Sequence, residues 1–386
     1  MVQTLLPSVT LMLALASSLT WRPAPPWAGV WKLAIAMGEF GHALVWVPLG
    51  LAGLSWQLLA GWPRGLALVC CAISAAALLR PIVMAHRIAR RLPHGLRAAF
   101  GEAAAGPGAP LSWRRLFWPP RLPRGPVSTE NFGTPESGDL WLDFFRGQGD
   151  GASPRPCLVV VHGGGWDGGE RSQLSDWNHR WAARGYAVAA VSYRLAPRHR
   201  WPAQRDDVSA AVAWLKKHAA RLGLDPTRLV LCGRSAGGQI ATAVAYGAND
   251  PAIRGVISFY APQDMAFAWS VSREDDTLNS INLMRQYLGG GPDTPALRAV
   301  YDSASAQQMV SPTVPPTLLI HGQPDTLVWV RHSERMAGRL REAGVPHYFL
   351  SLPWATHGFD FNAHGPGGQL ADFAIDSFLR SATTSR

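Results

Sequence analysis

Charged side chains are scarce in this sequence. Asp, Glu, Lys and Arg together account for 16% of its 386 residues, whereas hydrophobic residues account for 47%. An average soluble domain carries about 25% charged residues. The shortage argues against a chain that is soluble along its whole length and indicates membrane segments. The length itself allows one large domain or two ordinary ones.

Cysteine is equally rare. The chain has four cysteines, which neither have the spacing of metal ligands nor suggest a disulfide framework. Two are adjacent in an apolar run and two lie in or beside expected core strands, so we interpret all four as buried free thiols. They are Cys70, Cys71, Cys157 and Cys232. The cysteines therefore give no indication of a metal site.

Acidic residues are fewer than basic ones, 26 against 36, which gives a net charge of +10. Such an excess suits either nucleic acid or an anionic membrane surface. Much of it lies beside apolar segments and within residues 101–126, where arginines and aromatic residues occur together. No recognised nucleic-acid-binding motif is present. We therefore expect membrane lipids, and no nucleic acid, as partners.

Three long apolar runs lie in residues 1–100, at positions 5–21, 35–59 and 65–84. Each is near the roughly 20 residues that a helix needs to cross a bilayer, so we predict about three membrane helices. Two alternatives stay open: a cleaved signal peptide, although no Lys or Arg precedes the first run, and a helical domain buried without lipid. Tryptophans near the ends of the runs are typical of interfacial anchors: Trp21, Trp27, Trp31, Trp56 and Trp62.

The basic residues that flank these runs predict an orientation. Several arginines crowd after the third run, Arg22 and Lys32 lie between the first and the second, and Arg64 alone marks the next link. By the positive-inside tendency, residues 20–32 and everything after about residue 85 face the cytoplasm. We therefore predict a multi-pass membrane protein whose larger, carboxy-terminal part is cytoplasmic.

A second kind of pattern begins at residue 127. Residues 101–126 are rich in Gly, Ala, Pro and Arg and are expected to form a linker. Residues 127–386 alternate short apolar runs, which suit buried strands, with helical patterns. This alternation predicts an α/β domain with a doubly wound, mostly parallel sheet. In such sheets, functional sites form at the carboxyl ends of the strands.

Residues 233–237, Gly-Arg-Ser-Ala-Gly, follow an apolar strand and precede an Ala-rich helix. A strand that enters a helix through such a tight glycine turn places Ser235 at its tip. The turn also directs a helix N-terminus at whatever binds there. Taken alone, the pattern fits an ordinary glycine turn equally well, so the other strand ends must decide.

Three further expected strands are followed by residues that could take part in catalysis. A glycine triplet at residues 163–165 follows one strand, Asp325 follows another, and His357 follows the last. Because a serine hydroxyl becomes nucleophilic only when a base takes its proton, we predict His357 as the base of Ser235 and Asp325 as the residue that orients it. Asp360 and a second nearby histidine, His364, are competitors for these roles. The expected oxyanion donors are the backbone N–H groups of Gly164, Gly165 and Ala236.

Five segments in this order resemble the α/β-hydrolase fold, in particular the esterase and lipase group related to hormone-sensitive lipase. The resemblance implies hydrolysis of carboxylic esters through an acyl-serine, without metal or cofactor, and it implies Trp166 and Tyr193 as substrate-binding residues. One departure is Arg234, which stands where the family often has an acidic residue. The segments are residues 162–166 (His-Gly-Gly-Gly-Trp), 192–197 (Ser-Tyr-Arg-Leu-Ala-Pro), 233–238 (Gly-Arg-Ser-Ala-Gly-Gly), 321–325 (His-Gly-Gln-Pro-Asp) and 357–359 (His-Gly-Phe).

An insertion at residues 263–316 separates two expected core strands. In the family that the chain resembles, such an insertion forms a small helical lid over an apolar acyl or alcohol pocket; an ordinary surface excursion is the alternative.

We expect a membrane-anchored esterase acting on small-molecule or lipid-derived esters. The alternatives are an amidase, such as a formamidase, that uses the same triad, and a catalytically idle binding protein on this fold. The sequence does not indicate the oligomeric state.

Overall fold

Apolar helices form the amino-terminal region of the computed structural model, which describes residues 2–25, 27–149 and 153–384. They are α1 (Val2–Ser17, followed by a 3-10 turn at Ser18–Thr20), α2 (Ala28–Glu39), α3 (Gly41–Leu44), α4 (Trp46–Leu58) and α5 (Gly61–Phe100). By length and composition, α1 with its 3-10 turn and α5 can each cross a membrane, and α2 with the α3–α4 segment adds a third span only if this pair, bent by 79°, counts as one. The prediction of one continuous helix over residues 35–59 is wrong, because Phe40 is not helical (φ −119°, ψ 9°).

Contacts between these helices define their relative directions. The Gln3 side chain at the start of α1 donates to the carbonyl of Leu58, which lies just before α5 (3.4 Å). At the other end of α1, Thr20 donates to the carbonyl of Ala77 within α5 (3.0 Å). Helices α1 and α5 are therefore parallel. The α3–α4 segment runs in the opposite direction, because its first residue, Gly41, lies against the carbonyl of Leu78.

Helix α5 continues well beyond the apolar run that predicted it. The expected end at residue 84 is wrong, because the helix reaches Phe100 and its last four turns bury a stripe of small and apolar side chains against the α/β domain. The expected linker, residues 101–126, contains a 3-10 turn (Glu102–Ala104) and α6 (Trp113–Phe117). It is held by Ser112, whose N–H donates to Gln369 (2.8 Å), and by Arg115, which pairs with Asp372 (2.9 Å). This segment is thus part of the folded body and not a free tether.

An eight-stranded sheet forms the centre of the α/β domain, in the order β1-β2-β4-β3-β5-β6-β7-β8. Strands β1 and β2 are antiparallel, β2 is antiparallel to β4, and the remaining neighbours are parallel. The mostly parallel sheet confirms the predicted fold class. The strands are β1 (Val127–Asn131), β2 (Trp141–Phe145), β3 (Arg155–Val161), β4 (Ala187–Val191), β5 (Leu224–Arg234), β6 (Ile253–Phe259), β7 (Thr317–Gly322) and β8 (His347–Leu352).

Helices cover both faces of this sheet, and one hydrophobic core lies on each side. Helices α8, α10 and α14 share one core with the insertion between β6 and β7, whereas α7, α15 and the end of α5 share the other. The insertion holds three helices, α11 to α13. The helices are α7 (Ser175–Ala183), α8 (Ala203–Lys217), α9 (Ala219–Leu222), α10 (Ala236–Gly247), α11 (Met265–Val271), α12 (Ser280–Leu288), α13 (Pro295–Ala304), α14 (Arg331–Glu342) and α15 (Pro366–Thr383).

Candidate active site

A sharp turn between β5 and α10 carries Ser235. Its backbone is in a strained region (φ 52°, ψ −123°) that non-glycine residues rarely adopt. The turn is possible because its flanking glycines have no side chain: a Cβ on Gly237 would collide with the carbonyl oxygens of Val161 and His162, and one on Gly233 with the carbonyl of Gly237. The sequence thus places a serine hydroxyl at the end of the central strand and at the N-terminus of a helix.

The three predicted side chains of the triad meet at this turn. His357 Nε2 lies 2.9 Å from Ser235 Oγ, and His357 Nδ1 lies 2.7 Å from Asp325 Oδ2. Asp325 follows β7 and His357 follows β8, so both come from strand ends at the same edge of the sheet as Ser235. These distances allow the hydroxyl proton to pass to the imidazole while the carboxylate fixes the ring's orientation.

Asp325 is buried but fully supplied with hydrogen bonds. Its Oδ1 accepts from the N–H groups of Leu327 (2.9 Å) and Val328 (3.0 Å), and its Oδ2 lies 3.3 Å from His321 Nε2. Burial alone would raise its pKa, but the nearby imidazoles of His357 and His321 lower the pKa below its ordinary value. Asp325 is therefore ionised at neutral pH and can stabilise a positive charge on His357.

A loop after β3 faces the serine turn. Gly164 and Gly165 have positive φ values, 126° and 62°, so the chain turns here in a way that a side chain would strain. Gly165 and Ala236 line the same cavity as Ser235. Among the described residues, neither of their backbone N–H groups donates to another group of the chain. Free N–H donors beside Ser235 have the chemistry that an oxyanion requires.

The cavity in front of Ser235 has a volume of about 240 Å³. One wall comes from α11, α12 and the segment between them, another from the segment after Asp325, so the insertion at residues 263–316 covers part of the site. Trp166 lines the cavity as predicted; its ring stacks on Tyr287 (4.4 Å between centroids) and its Nε1 donates to Gln239 (3.0 Å). The apolar lining of the cavity includes Val271, Leu278, Leu283, Met284, Leu327 and Trp329.

Tyr193, the other residue predicted to bind substrate, does not line this cavity. It is only 4% exposed, its ring stacks on His162 (4.2 Å between centroids), and its hydroxyl donates to the carbonyl of His162 (3.1 Å). The aromatic ring and the hydrogen bond both hold the residue that precedes the glycine triplet. Tyr193 therefore supports the loop that carries the triplet.

Arg234, which the sequence left without a role, forms a buried ion pair with Asp360 (Nε to Oδ2, 2.5 Å). Tyr260 donates its hydroxyl to the same carboxylate, and its ring lies 4.4 Å from that of His357. Burial raises the pKa of Tyr260, so the phenol stays a neutral donor. Asp360 is thus not a rival of Asp325 but the partner of Arg234, and its position in the sequence gave no sign of this pairing.

The other competitor, His364, lies away from the nucleophile. Its Nε2 is 3.0 Å from Arg180 Nη2, and burial followed by the charges of Arg180 and Arg115 lowers its pKa to about 4. It is therefore neutral at physiological pH, and it lies among the arginines that surround Asp372. Within the part of the chain that the structure describes, no group of three His, Cys, Asp or Glu side chains is arranged to hold a metal ion.

Comparisons with known proteins agree with this geometry. Residues 142–340 match the family model BD-FAE. The probable carboxylic ester hydrolase LipM of Mycobacterium tuberculosis is 28% identical over 298 residues, which are 73% of this chain and 66% of LipM. Esterase LipC of the same organism is 31% identical over 261 residues, 64% of this chain and 63% of LipC. The chain thus spans slightly less than two thirds of the length of these relatives.

A solved structure resembles the fold at low sequence identity. A bacterial heroin esterase superimposes with a TM-score of 0.60 at 24% identity, covering 77% of this chain and 92% of that protein. At this identity the likeness concerns the fold alone.

Proposed function

We propose that this chain, which belongs to the BD-FAE family, hydrolyses carboxylic esters through an acyl-serine intermediate. The observation that carries the proposal is the hydrogen-bonded series Ser235–His357–Asp325, with distances of 2.9 and 2.7 Å, at the base of an apolar cavity. The names of LipM and LipC, an ester hydrolase and an esterase, support the reaction class. A binding protein without catalytic activity would not require these three side chains to be aligned.

In the acylation step, Ser235 Oγ attacks the carbonyl carbon of the ester while His357 Nε2 takes the hydroxyl proton. The carbonyl electron pair moves onto oxygen, and the N–H groups of Gly165 and Ala236, with Gly164, stabilise the negative charge. When the tetrahedral species collapses, the bond to the alcohol oxygen breaks and His357 returns the proton to that oxygen. The products are a free alcohol and acyl-Ser235.

In the deacylation step, water takes the place of the alcohol. His357 removes a proton from water, the resulting oxygen nucleophile attacks the acyl carbon, and the same amides stabilise the second oxyanion. The bond to Ser235 Oγ then breaks, and His357 returns the proton to the serine. One ester and one water yield one alcohol and one carboxylic acid, with the enzyme restored.

The amino-terminal helices support a second part of the proposal, anchorage in a membrane. Because α1 and α5 are parallel and the α3–α4 segment between them is antiparallel, the chain traverses this bundle three times, as a multi-pass protein would. Large apolar side chains on these helices are exposed, among them Met12 (70%), Trp46 (67%) and Val69 (57%). Arginines concentrated after the apolar part of α5 favour a cytoplasmic position for the α/β domain, and small-molecule or lipid-derived esters are the proposed substrates.

Ester hydrolysis by the whole chain in lipid vesicles tests the reaction, because α5 is part of the folded core and a fragment that lacks it would expose that core. Ser235→Ala should lower kcat/KM for p-nitrophenyl butyrate by at least about a thousandfold. Ser209→Ala, on the exposed surface of α8, is the matched control and should match the wild type. A fluorophosphonate should label the wild type and the control but not Ser235→Ala.

Undiminished hydrolysis by Ser235→Ala would contradict the proposed nucleophile. A p-nitroanilide of the same acyl group separates the two reactions of this triad: faster turnover of the anilide than of the ester would assign an amidase. Absence of both hydrolysis and fluorophosphonate labelling in the wild type would favour an idle binding protein.

A further inference from the structure

Helix α2 touches the segment that carries the catalytic histidine. Residues 353–367, named here the histidine loop, connect β8 to α15 and contain His357. Trp31 Nε1 donates to the backbone carbonyl of His357 (2.8 Å). The next residue, Gly358, has a positive φ of 76°, and a Cβ placed on it would lie 3.5 Å from the Trp31 ring and 3.8 Å from Ile35. Helix α2 therefore packs directly on the backbone of His357.

Glu39, the last residue of α2, fixes the same loop at three more points. Its Oε1 accepts from Trp354 Nε1 (3.0 Å), and its Oε2 accepts from the N–H of Gly367 (3.0 Å). Its backbone carbonyl accepts from Asn362 Nδ2 (3.2 Å). Glu39 is only 1% exposed and Trp354 is equally buried. These bonds join the two ends and the middle of the histidine loop to one helix.

Helix α2 belongs to the apolar amino-terminal helices, ahead of residues 142–340, which match the family. It is bent by 79° from the α3–α4 segment, and it contacts the α/β domain at the histidine loop. A helix from the membrane region thus completes the surroundings of a catalytic side chain.

We propose that Trp31 and Glu39 are positioning residues for His357, so that the membrane region is part of the active-site scaffold. The inference rests on the proposed function, because it concerns the geometry of the same triad. Proton transfer needs His357 Nε2 within hydrogen-bond reach of Ser235 Oγ, and a displacement of about 1 Å can cost on the order of a hundredfold in rate. Neither Trp31 nor Glu39 contacts Ser235, and neither lines the substrate cavity.

Trp31→Phe is the sharpest test, because it keeps an aromatic ring and removes the Nε1 donor. In the whole chain in vesicles, kcat should fall about three- to tenfold, the effect of one net hydrogen bond. The KM should stay unchanged, since no residue of the histidine loop is among those that line the cavity. Trp27→Phe is the matched control: Trp27 is 65% exposed, and its variant should keep the wild-type kcat.

Glu39→Gln leaves one side-chain acceptor for two donors, Trp354 Nε1 and the N–H of Gly367. Trp354→Phe removes the first of these donors. Both variants should also lower kcat at constant KM. Rates are expressed per site titrated with a fluorophosphonate, so that misfolded protein does not count. Wild-type kcat per titrated site in both Trp31→Phe and Glu39→Gln would overturn the inference, and so would a rise in KM at unchanged kcat. If instead the wild type hydrolyses no ester, or Ser235→Ala retains the activity, the proposed function itself fails.

Discussion

Arg234 and Asp360 link the nucleophile turn to the histidine loop through a fully buried ion pair. The guanidinium lies over the rings of Trp177, Trp181 and Phe259, at 5.0 to 5.8 Å from their centroids, so aromatic faces replace the water that the charge has lost. Asp360 in turn binds Tyr260, which packs on His357. One cation next to Ser235 in the chain therefore stabilises the surroundings of the base.

Removal of one partner of this pair should be costly. In Arg234→Met, Asp360 becomes a buried carboxylate without its cation, which we expect to lower the free energy of unfolding by about 3–5 kcal/mol. The double variant Arg234→Met with Asp360→Asn buries no net charge and should recover much of the loss. Denaturant titrations of the three proteins in one detergent measure this. A single variant as stable as the wild type, or a double variant less stable than the single one, would contradict the role given to the pair.

At the scale of elements, the triad could be predicted because parallel strands end at one edge of a sheet. Ser235, Asp325 and His357 each follow a run that reads as a buried strand, so the fold class alone brings them together. Contacts between elements that are far apart in the chain produce no comparable pattern in the sequence. Trp31 and His357 are 326 residues apart, and Asp360 meets Arg234 across 126 residues. Neither spacing nor periodicity relates such pairs.

The length of α5 is an intermediate case, because the sequence contains the signal. Ala85, Ala89, Leu92 and Leu96 recur at three- and four-residue intervals, which is the spacing of a helix that buries one face, and all four are buried in the core beside α15. The predicted end at residue 84 followed only the end of the apolar run. The charged residues lie on the opposite, exposed face.

The lid elements should set the chain length of the acid that the enzyme releases. Leu283 in α12 lies against Gly165 and lines the cavity. Leu283→Ala should widen the cavity at the acyl carbon and raise the ratio of kcat/KM for p-nitrophenyl octanoate to that for the acetate by about three- to tenfold. The ratio is insensitive to the amount of folded enzyme.

Leu297→Ala, in α13 and outside the cavity lining, is the control for this substitution and should leave the ratio unchanged. Equal ratios in Leu283→Ala and the wild type would show that α12 does not shape the acyl site.

At the scale of the whole molecule, the three traverses of the bundle predict opposite sides for two exposed positions. Ala60 lies in the connection between α4 and α5, and Ser209 lies on α8 of the α/β domain. The four native cysteines are buried, so only the engineered thiols are expected to react with the reagent. A membrane-impermeant maleimide should label Ala60→Cys in intact cells and Ser209→Cys only after lysis. The reverse pattern would invert the orientation, and labelling of both in intact cells would contradict the spanning bundle.

Helix α5 has 40 residues and is therefore about 60 Å long, whereas the hydrocarbon core of a bilayer measures about 30 Å. If α5 crosses the bilayer, as proposed, roughly half of the helix extends beyond it, and that half packs against the α/β domain. The α/β domain would then be held near the membrane by a folded helix and not by a flexible linker. The proposed active site would stay at a fixed height above the lipid surface, and its encounters with membrane-borne esters would depend on lateral diffusion in two dimensions.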